Sequence, residues 1–213
     1  MILNIDFLNP ELTYKRRHGG GFGLSIAKAC GLKKLLKNSP EKIPKIIDAT
    51  AGRGEDGFLL ASLGAEVFMI ERNRAVFEAL VQGLDLGLKQ AEQAEDLALI
   101  KIFSRIFLYF GEAKDLIPKI SSEQGFIDLI YLDPMFPHRT KSALVKKPMR
   151  DLRELVGEDL DADALLDLAR KHARKIVVKR PKNAPFLAGQ ITKDQLIGES
   201  SRFDIYCLRD PKE

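Results

Sequence analysis

An apolar run in the second half of the chain ends in a short segment that could bind an amine. Residues 126–132 are mostly apolar, and Asp133-Pro134-Met135-Phe136-Pro137-His138 follows them. The carboxylate of Asp133 and the carbonyl of Pro134 could each accept a hydrogen bond from an exocyclic amine, while Phe136 could stack on the base that carries it. This pattern is typical of sites that methylate a nucleobase amine, where catalysis is mainly positioning because a sulfonium methyl donor has a good leaving group.

A second signature lies upstream, where residues 45–57 read Lys-Ile-Ile-Asp-Ala-Thr-Ala-Gly-Arg-Gly-Glu-Asp-Gly. The apolar start indicates a strand, which runs through Gly52 and Gly54 into a helical stretch. Glycines allow a tight turn and the close approach of a ligand, and the start of the following helix offers N–H groups. The segment therefore predicts a binding site for a nucleotide-like cofactor.

The glycine pattern alone leaves two cofactors open. A glycine at position 57 and an acidic residue, Glu71, at the end of the next apolar run also suit a dinucleotide fingerprint. Asp48 and the Ala-Thr-Ala run before the glycines favour S-adenosylmethionine instead. So do Glu55 and Asp56, which stand where a pyrophosphate would prefer amides.

Composition restricts the class of protein. With 213 residues, 45% of them apolar and 30% charged, the chain suits one globular domain with a sizeable core. We expect residues 1–40 to lead into a methyltransferase domain over residues 41–213. No apolar stretch is long enough for a membrane span, and Cys30 and Cys207 offer neither a disulfide framework nor metal-ligand spacing. We therefore expect a cytoplasmic protein without a metal.

Basic residues cluster in three places, although the net charge is only +4. Nucleic-acid affinity depends largely on phosphate neutralisation by Lys and Arg, so these clusters predict RNA contact, although a charge run can also be a solvated face. The first cluster precedes the fold, the second follows the Asp133 segment, and the third ends a Val-Val strand. The predicted RNA-binding residues are Lys15, Arg16, Arg17, His138, Arg139, Lys141, Lys146, Lys147, Lys179 and Arg180.

Apolar runs alternate with helical patterns from residue 43 onward, which indicates a parallel sheet with crossover helices. The predicted strands cover residues 43–49, 66–71, 100–110, 126–133, 175–179 and 202–208. A further strand is expected within residues 191–200. The predicted helices cover residues 23–36, 57–63, 74–89, 113–120 and 162–174. These elements suit a Rossmann-like, seven-stranded α/β fold of the class I methyltransferase type, mostly parallel, with helices on both faces and an antiparallel final strand.

Three candidate site residues fall where predicted strands end. Asp48, Glu71 and Asp133 each lie at the carboxyl end of a strand. In open parallel sheets, ligands bind beyond these ends, near the switch point of the strand order. The sequence therefore predicts one site at one rim of the sheet.

Several motifs together resemble the RsmJ methyltransferases. They are Asp-Ala-Thr-Ala-Gly-x-Gly-x-Asp at 48–56, Glu-Arg-Asn at 71–73, Tyr-Leu-Asp-Pro-Met-Phe-Pro-His at 131–138, Lys-Ser-Ala-Leu-Val-Lys-Lys at 141–147, Val-Val-Lys-Arg-Pro at 177–181 and Arg-Phe-Asp-Ile-Tyr at 202–206. The resemblance spans roughly residue 5 to the C-terminus. It implies methyl transfer from S-adenosyl-L-methionine to the exocyclic N2 of a guanine in bacterial 16S rRNA, either naked or within the small ribosomal subunit.

The resemblance also implies donor contacts. They fall on Glu55, Asp56, Glu71, Arg72, Glu112, Ala113 and Asp133, in addition to Asp48, Gly52 and Gly54 from the glycine signature. Two positions depart from the family, which often has Arg at 55 and two serines near 112–113. Relatives usually carry some tens of residues before residue 5, so we expect either a shorter member or a truncated start.

Individual roles follow from these placements. Glu71 is expected to bind the donor's ribose hydroxyls, while Asp48 could orient the donor's methionine amine or cap the glycine turn. Phe136 could stack on the base or belong to the core, and His138 could contact RNA or have no function. Alternative functions are an adenine-N6 methyltransferase, a nicotinamide-dependent oxidoreductase and an RNA-binding protein without catalysis. Adenine-N6 methyltransferases usually have Asn or Asp followed by Pro-Pro and an aromatic residue, and Met135 stands where the second proline would be.

Overall fold

A seven-stranded sheet organises the computed structural model, which describes residues 3–18, 20–134 and 162–207. Its strand order is β3-β2-β1-β4-β5-β7-β6. The first five strands in chain order pair in parallel, and β7 runs antiparallel to both β5 and β6. The strands are β1 Lys45–Asp48, β2 Glu66–Glu71, β3 Ile106–Phe110, β4 Ile127–Leu132, β5 Ala173–Pro181, β6 Gln195–Ile197 and β7 Ser201–Cys207. The predicted seven-stranded, mostly parallel sheet with an antiparallel final strand is confirmed.

Helices cover both faces of this sheet. They are α1 Pro10–His18, α2 Ser25–Cys30, α3 Leu32–Asn38, α4 Glu55–Ser62, α5 Arg74–Gln93, α6 Leu97–Phe103, α7 Ala113–Gln124 and α8 Ala162–Arg170. Short 3₁₀ turns lie at Gly21–Gly23 and Leu187–Gly189. Within the described residues, no helix is long and apolar enough to cross a membrane.

Successive residues of the central strands pack into two different cores. Ile46 joins a cluster that includes Phe58 of α4, whereas Ile47 joins a second cluster that includes Ile117 of α7. This alternation is expected for a strand buried on both faces, where successive side chains point to opposite sides. The sheet is therefore covered on both faces, as predicted.

The predicted strand over residues 100–110 was wrong in its first half. Helix α6 occupies Leu97–Phe103, and only Ile106–Phe110 form β3. Asp96 begins the helix by accepting a hydrogen bond from the N–H of Leu99 at 3.0 Å, as N-cap residues do. A continuous apolar run does not distinguish a buried helix from a strand.

Two helix predictions need smaller corrections. The helix expected over 23–36 is two helices, α2 and α3, separated at Gly31, whose φ of 68° interrupts helical geometry. The helix expected over 162–174 ends at Arg170, and β5 begins at Ala173.

The first basic cluster lies on α1, which the sequence did not predict. The expected strand within 191–200 is confirmed by β6.

The parallel pairing brings the carboxyl ends of four strands to one rim. Asp48 of β1 is in register with Met69 of β2 and with Tyr131 of β4. On the other side of β4, Leu132 is in register with Val178 of β5. Residues that follow these positions therefore share the same edge of the sheet.

Candidate active site

The turn between β1 and α4 is fixed by its glycines and by neighbouring strands. Gly52 and Gly54 have φ values of 53° and 72°, a backbone conformation that residues with a Cβ rarely adopt. A Cβ on Gly54 would lie 2.8 Å from Leu80 Cδ2. The N–H of Ala49 donates to the carbonyl of Tyr131 at 3.0 Å, so the turn is attached to β4. The loop is therefore held at the rim.

Glu71 extends from β2 over this turn. Its Oε2 accepts a hydrogen bond from Gly52 N at 2.9 Å, and its Oε1 accepts one from Asn73 N at 2.7 Å. The side chain is 5% exposed. An ionised carboxylate only accepts hydrogen bonds, so Glu71 is chemically suited to bind hydroxyl groups of a ligand.

Lys179 lies between two carboxylates at the centre of the rim. Its Nζ is 2.8 Å from Asp56 Oδ2 and 2.9 Å from Asp133 Oδ2. The hydroxyl of Tyr131 also donates to Asp56 Oδ2, at 2.7 Å. The ammonium group of Lys179 on β5 therefore links Asp56 of α4 to Asp133, the residue after β4. The Tyr131 hydroxyl gives a second link between β4 and α4.

The charges in this cluster perturb one another. Burial raises the pKa of Asp48 to about 8, and the neighbouring Asp56 charge adds to the effect. Burial alone would also raise the pKa of Asp56, but the charge and hydrogen bond of Lys179 hold it below its usual value. The pKa of Lys179 is raised by Asp133 and Asp56 in spite of burial. At neutral pH the site therefore holds a protonated Asp48 beside an ionised Asp56 and a charged Lys179.

Asp133 is also fixed through its main chain. Its N–H donates to Thr50 Oγ1 at 2.6 Å, and Pro134 behind it is buried. The rim thus places a carboxylate directly beside the glycine turn, where an amine and a methyl donor could meet. Within the described residues, no group of three or more His, Cys, Asp or Glu side chains could hold a metal ion.

Comparisons with known proteins agree with this geometry. The family described as "Putative SAM-dependent methyltransferase" matches residues 1–208. A ribosomal RNA small subunit methyltransferase J from Cellvibrio japonicus is 46% identical over 94% of this chain and 73% of its own length. The protein of the same name from Hahella chejuensis is 44% identical over 96% of this chain and 72% of its own. The chain belongs to the ribosomal RNA small subunit methyltransferase J family.

Solved structures extend the comparison. A crystal structure of a SAM-dependent methyltransferase from Neisseria gonorrhoeae is 37% identical, with a TM-score of 0.71, over 96% of this chain and 74% of its own. The rRNA methyltransferase aviRa of Streptomyces viridochromogenes shares the fold at 16% identity and a TM-score of 0.52, over 85% of this chain and 84% of its own. The match of residues 1–208 to a SAM-dependent methyltransferase family decides between the two cofactors that the glycine pattern left open. The cofactor is S-adenosylmethionine.

The glycine turn and Glu71 fit that cofactor. Glu71 is a nearly buried acid at the end of β2, immediately beside the turn, where ribose hydroxyls could bind it. Asp48 lies beneath the turn, and its Oδ1 accepts a hydrogen bond from Thr50 N at 3.3 Å. The structure thus shows the turn-capping contact that was one of the two predicted roles of Asp48. A contact with the donor's methionine amine stays a prediction.

The other predicted donor-contact residues directly follow β2 or lie at the starts of α7 and α4. Arg72 Nη1 is 4.0 Å from Glu112 Oε2, so these two predicted residues are neighbours. Ala113 begins α7, directly after Glu112. Glu55 Oε1 is 3.3 Å from Arg53 Nε. Their contacts with the donor stay predictions.

The predicted RNA-binding residues are in different positions. Lys15 pairs with Glu11 at 3.1 Å, and its charge also helps to lower the pKa of Asp56. Arg17 is exposed, whereas Arg16 is partly buried, and that burial lowers the pKa of Arg16. The remaining predicted site residues lie outside the described residues: Phe136, His138, Arg139, Lys141, Lys146 and Lys147.

The prediction that Arg180 contacts RNA does not fit the structure. Its side chain is 2% exposed and donates a hydrogen bond to the carbonyl of Pro185. Lys179 and Arg180 are adjacent on β5, so their side chains point to opposite faces of the sheet. Because successive strand residues alternate in direction, the sequence alone could have shown that only one of Lys179 and Arg180 faces the site.

Sequence reasoning missed two residues that shape the site. Thr50 holds the backbone of Asp133, and Tyr131 donates to Asp56. Thr50 lies in the glycine signature and Tyr131 lies two residues before Asp133, so both were inside the quoted motifs. Tyr131 carries a hydroxyl group near the end of an otherwise apolar strand. Since buried hydroxyl groups usually have a hydrogen-bond partner, the sequence could have predicted a polar contact for Tyr131 at the rim.

Proposed function

We propose that this protein transfers a methyl group from S-adenosylmethionine to the exocyclic N2 amine of a guanine in bacterial 16S rRNA. The observation that carries the proposal is the position of Asp133, a carboxylate held 2.9 Å from Lys179 at the rim that also bears the glycine turn and Glu71. The chain's place in the methyltransferase J family supports ribosomal RNA as the substrate.

The residues around the turn would hold the methyl donor. When bound, S-adenosylmethionine would supply an electrophilic methyl group on a sulfonium. As the new N–C bond forms, the S–C bond would break, S-adenosylhomocysteine would leave as a neutral thioether, and the methylated amine would release one proton to solvent. Glu71 would accept hydrogen bonds from its ribose hydroxyls, and the glycines would let the backbone approach it closely. Asp48 is positioned below this loop, and an ammonium group close to it would favour its ionised form.

Asp133 would orient the acceptor. Its carboxylate would accept a hydrogen bond from the guanine amine and direct the nitrogen lone pair toward the methyl group, while the Pro134 carbonyl would accept a second. Phe136, outside the described residues, is proposed to stack on the base. A paired base would first be flipped out of its helix to reach this rim.

The natural substrate is proposed to be 16S rRNA in the cytoplasm, either naked or within the small ribosomal subunit. Lys15 and Arg17 on α1 would contact phosphates on one side of the rim. The basic segment after Asp133 would contribute further phosphate contacts. Such contacts would supply affinity, while Asp133 and the Pro134 carbonyl would select the base.

Transfer of a labelled methyl group tests this proposal. The substrates are 16S rRNA and small subunits from cells that lack the enzyme, and the enzymes are the wild type, Asp133→Ala and the control Asp85→Ala. Asp85 is a suitable control because it is exposed on α5 and pairs with Lys89. We expect N2-methylguanosine with the wild type and the control, and none with Asp133→Ala.

Other products would overturn the proposal at different points. Methylated adenine would contradict the choice of guanine, and methylated protein would contradict RNA as the substrate. An Asp133→Ala variant as active as the wild type would contradict the role of Asp133. No transfer to either substrate, with donor binding intact, would contradict 16S rRNA as the acceptor.

A further inference from the structure

We propose that Lys179 is a positioning residue for methyl transfer, which orients Asp133 and keeps it ionised, and is not primarily a phosphate contact. This inference rests on the function proposed above. Its basis is the arrangement of Lys179 Nζ between Asp56 Oδ2 and Asp133 Oδ2, at 2.8 and 2.9 Å.

The backbone explains why Lys179 can act in this way. Strands β4 and β5 are parallel neighbours, with Leu132 in register with Val178, so the residues that follow them come together at the rim. Because Lys179 is within a strand, its side chain starts from a fixed position. Its ammonium binds Asp133 through Oδ2, which sets the rotation of the carboxylate and therefore the direction of Oδ1.

Asp133 is thus constrained at two points. Thr50 fixes its main-chain N–H at 2.6 Å, and Lys179 fixes one oxygen of its side chain. A carboxylate that directs the lone pair of an amine must have a defined orientation, since small misplacements of reacting groups are costly to catalysis. Loss of either contact should therefore reduce the rate of the chemical step.

Charge gives the second argument. Lys179 brings two carboxylate oxygens, from Asp56 and Asp133, onto the same ammonium group. Without the cation, two carboxylates this close would tend to share a proton, as like charges disfavour double ionisation. A protonated Asp133 would present an O–H donor toward the amine and would no longer accept from it at that oxygen. Lys179 therefore favours the acceptor form of Asp133.

The surroundings of Lys179 also distinguish it from a phosphate contact. Its side chain is only 28% exposed, and both carboxylates on it are negatively charged groups that an approaching phosphate would have to displace. An RNA-contacting lysine would mainly affect the KM for RNA and its salt dependence. A positioning residue would mainly affect kcat.

The test compares Lys179→Met, which keeps the length of the side chain without its charge, with Lys179→Arg, which keeps the charge. Wild-type transfer to guanine is established first, so failure of the proposed function is recognised before the variants are compared. We expect kcat of Lys179→Met to fall by about 10- to 100-fold, with little change in the KM for RNA. Lys179→Arg should recover part of the lost kcat.

The pH profile provides a readout that a purely structural role would not change. Other titratable or charged groups that act on the Asp56–Asp133 pair are Asp48, Tyr131 and Lys15, and all three are the same in every variant compared. Without Lys179, the Asp56–Asp133 pair should hold a proton to higher pH. The acid limb of kcat for Lys179→Met should therefore move to higher pH than in the wild type, while Lys179→Arg should keep the wild-type position. An unchanged acid limb, or a raised KM for RNA with unchanged kcat, would overturn the proposal.

A double variant separates positioning from folding. Lys179→Met/Asp56→Asn removes one negative charge together with the cation, so it should recover thermal stability that Lys179→Met loses. If Lys179 positions Asp133, the double variant should still show a reduced kcat when it is measured at saturating S-adenosylmethionine, a condition that compensates for any weaker donor binding through Asp56. If kcat as well as stability returned to the wild-type value, the positioning role would be contradicted. Neutralising the charge of Asp56 would then be the only role left for Lys179.

Discussion

Thr50 and Asp133 are 83 residues apart, yet the Thr50 hydroxyl accepts a hydrogen bond from the Asp133 N–H at 2.6 Å. One residue belongs to the glycine turn after β1, and the other follows β4. The bond therefore joins the loop proposed to bind the methyl donor to the segment proposed to bind the methyl acceptor. Together with the pairing of β1 with β4 and the two contacts of Lys179, this bond fixes the relative position of the two halves of the site.

Substitution of Thr50 should reduce catalysis more than folding. Thr50→Val keeps the shape of the side chain but leaves the Asp133 N–H without this acceptor, so we expect kcat to fall by roughly tenfold. Thr50→Ser keeps the hydroxyl and should remain close to the wild type. Methyl-transfer kinetics on both variants measure this, with circular dichroism as the check on folding. Equal kcat values for the two variants would contradict the role of the bond.

Glu71 should determine donor affinity. Glu71→Gln removes the charge and one acceptor oxygen beside the ribose position, so we expect the dissociation constant for S-adenosylmethionine to rise by about 10- to 100-fold. Glu78→Gln is the matched control, because Glu78 is exposed on α5 and pairs with Arg74 at 3.7 Å. Isothermal titration calorimetry measures both. An unchanged affinity for Glu71→Gln would remove Glu71 from the donor site.

Asp48 should make stability depend on pH. Burial raises its pKa from 3.8 to about 8, so between these values the folded protein holds a proton that the unfolded chain has lost. Its contribution to the free energy of unfolding therefore falls as pH rises, by up to about 1.4 kcal/mol per pH unit, and levels off above about pH 8.

Asp48→Asn tests this dependence because the amide is neutral at every pH. Relative to the wild type, the variant should gain stability progressively from pH 4 to pH 8, as measured by urea denaturation. Asp85→Asn, at an exposed position on α5, should show no such gain. If the difference between Asp48→Asn and the wild type is the same at both ends of this range, Asp48 is not protonated in the folded protein.

Much of the fold could be predicted from the sequence because strand signals are local. Strand β2 has the predicted bounds, and the ends of β1, β2 and β4 placed Asp48, Glu71 and Asp133 at one rim. Parallel pairing of consecutive buried strands requires this convergence. The same local signals gave a wrong prediction over residues 100–110, because a continuous apolar run does not distinguish helix α6 from a strand.

The contacts inside the site could not be predicted in the same way. Lys179 and Asp56 are 123 residues apart, and their contact depends on where β5 pairs and on how α4 leaves the turn. The sequence showed Lys179 as a basic residue at the end of a predicted strand on the same rim, which favoured a contact with RNA or substrate. Its position between two carboxylates is a property of the assembled rim, and so is the burial that raises the pKa of Asp48.

Tyr131 should contribute to stability through its hydroxyl. It is 1% exposed and donates to Asp56 Oδ2 at 2.7 Å, so Tyr131→Phe removes a buried hydrogen bond to a charged group. We expect a loss of about 1.5 kcal/mol, since Lys179 still holds Asp56. Tyr14→Phe is the control, because Tyr14 is 63% exposed and its substitution should have little effect on unfolding.

Urea denaturation of the two tyrosine variants measures this difference, and methyl-transfer kinetics locate its effect. Tyr131→Phe leaves both contacts of Lys179 in place, so its kcat should fall less than that of Lys179→Met. A larger fall in kcat for Tyr131→Phe would mean that the orientation of Asp56, rather than that of Asp133, limits the reaction.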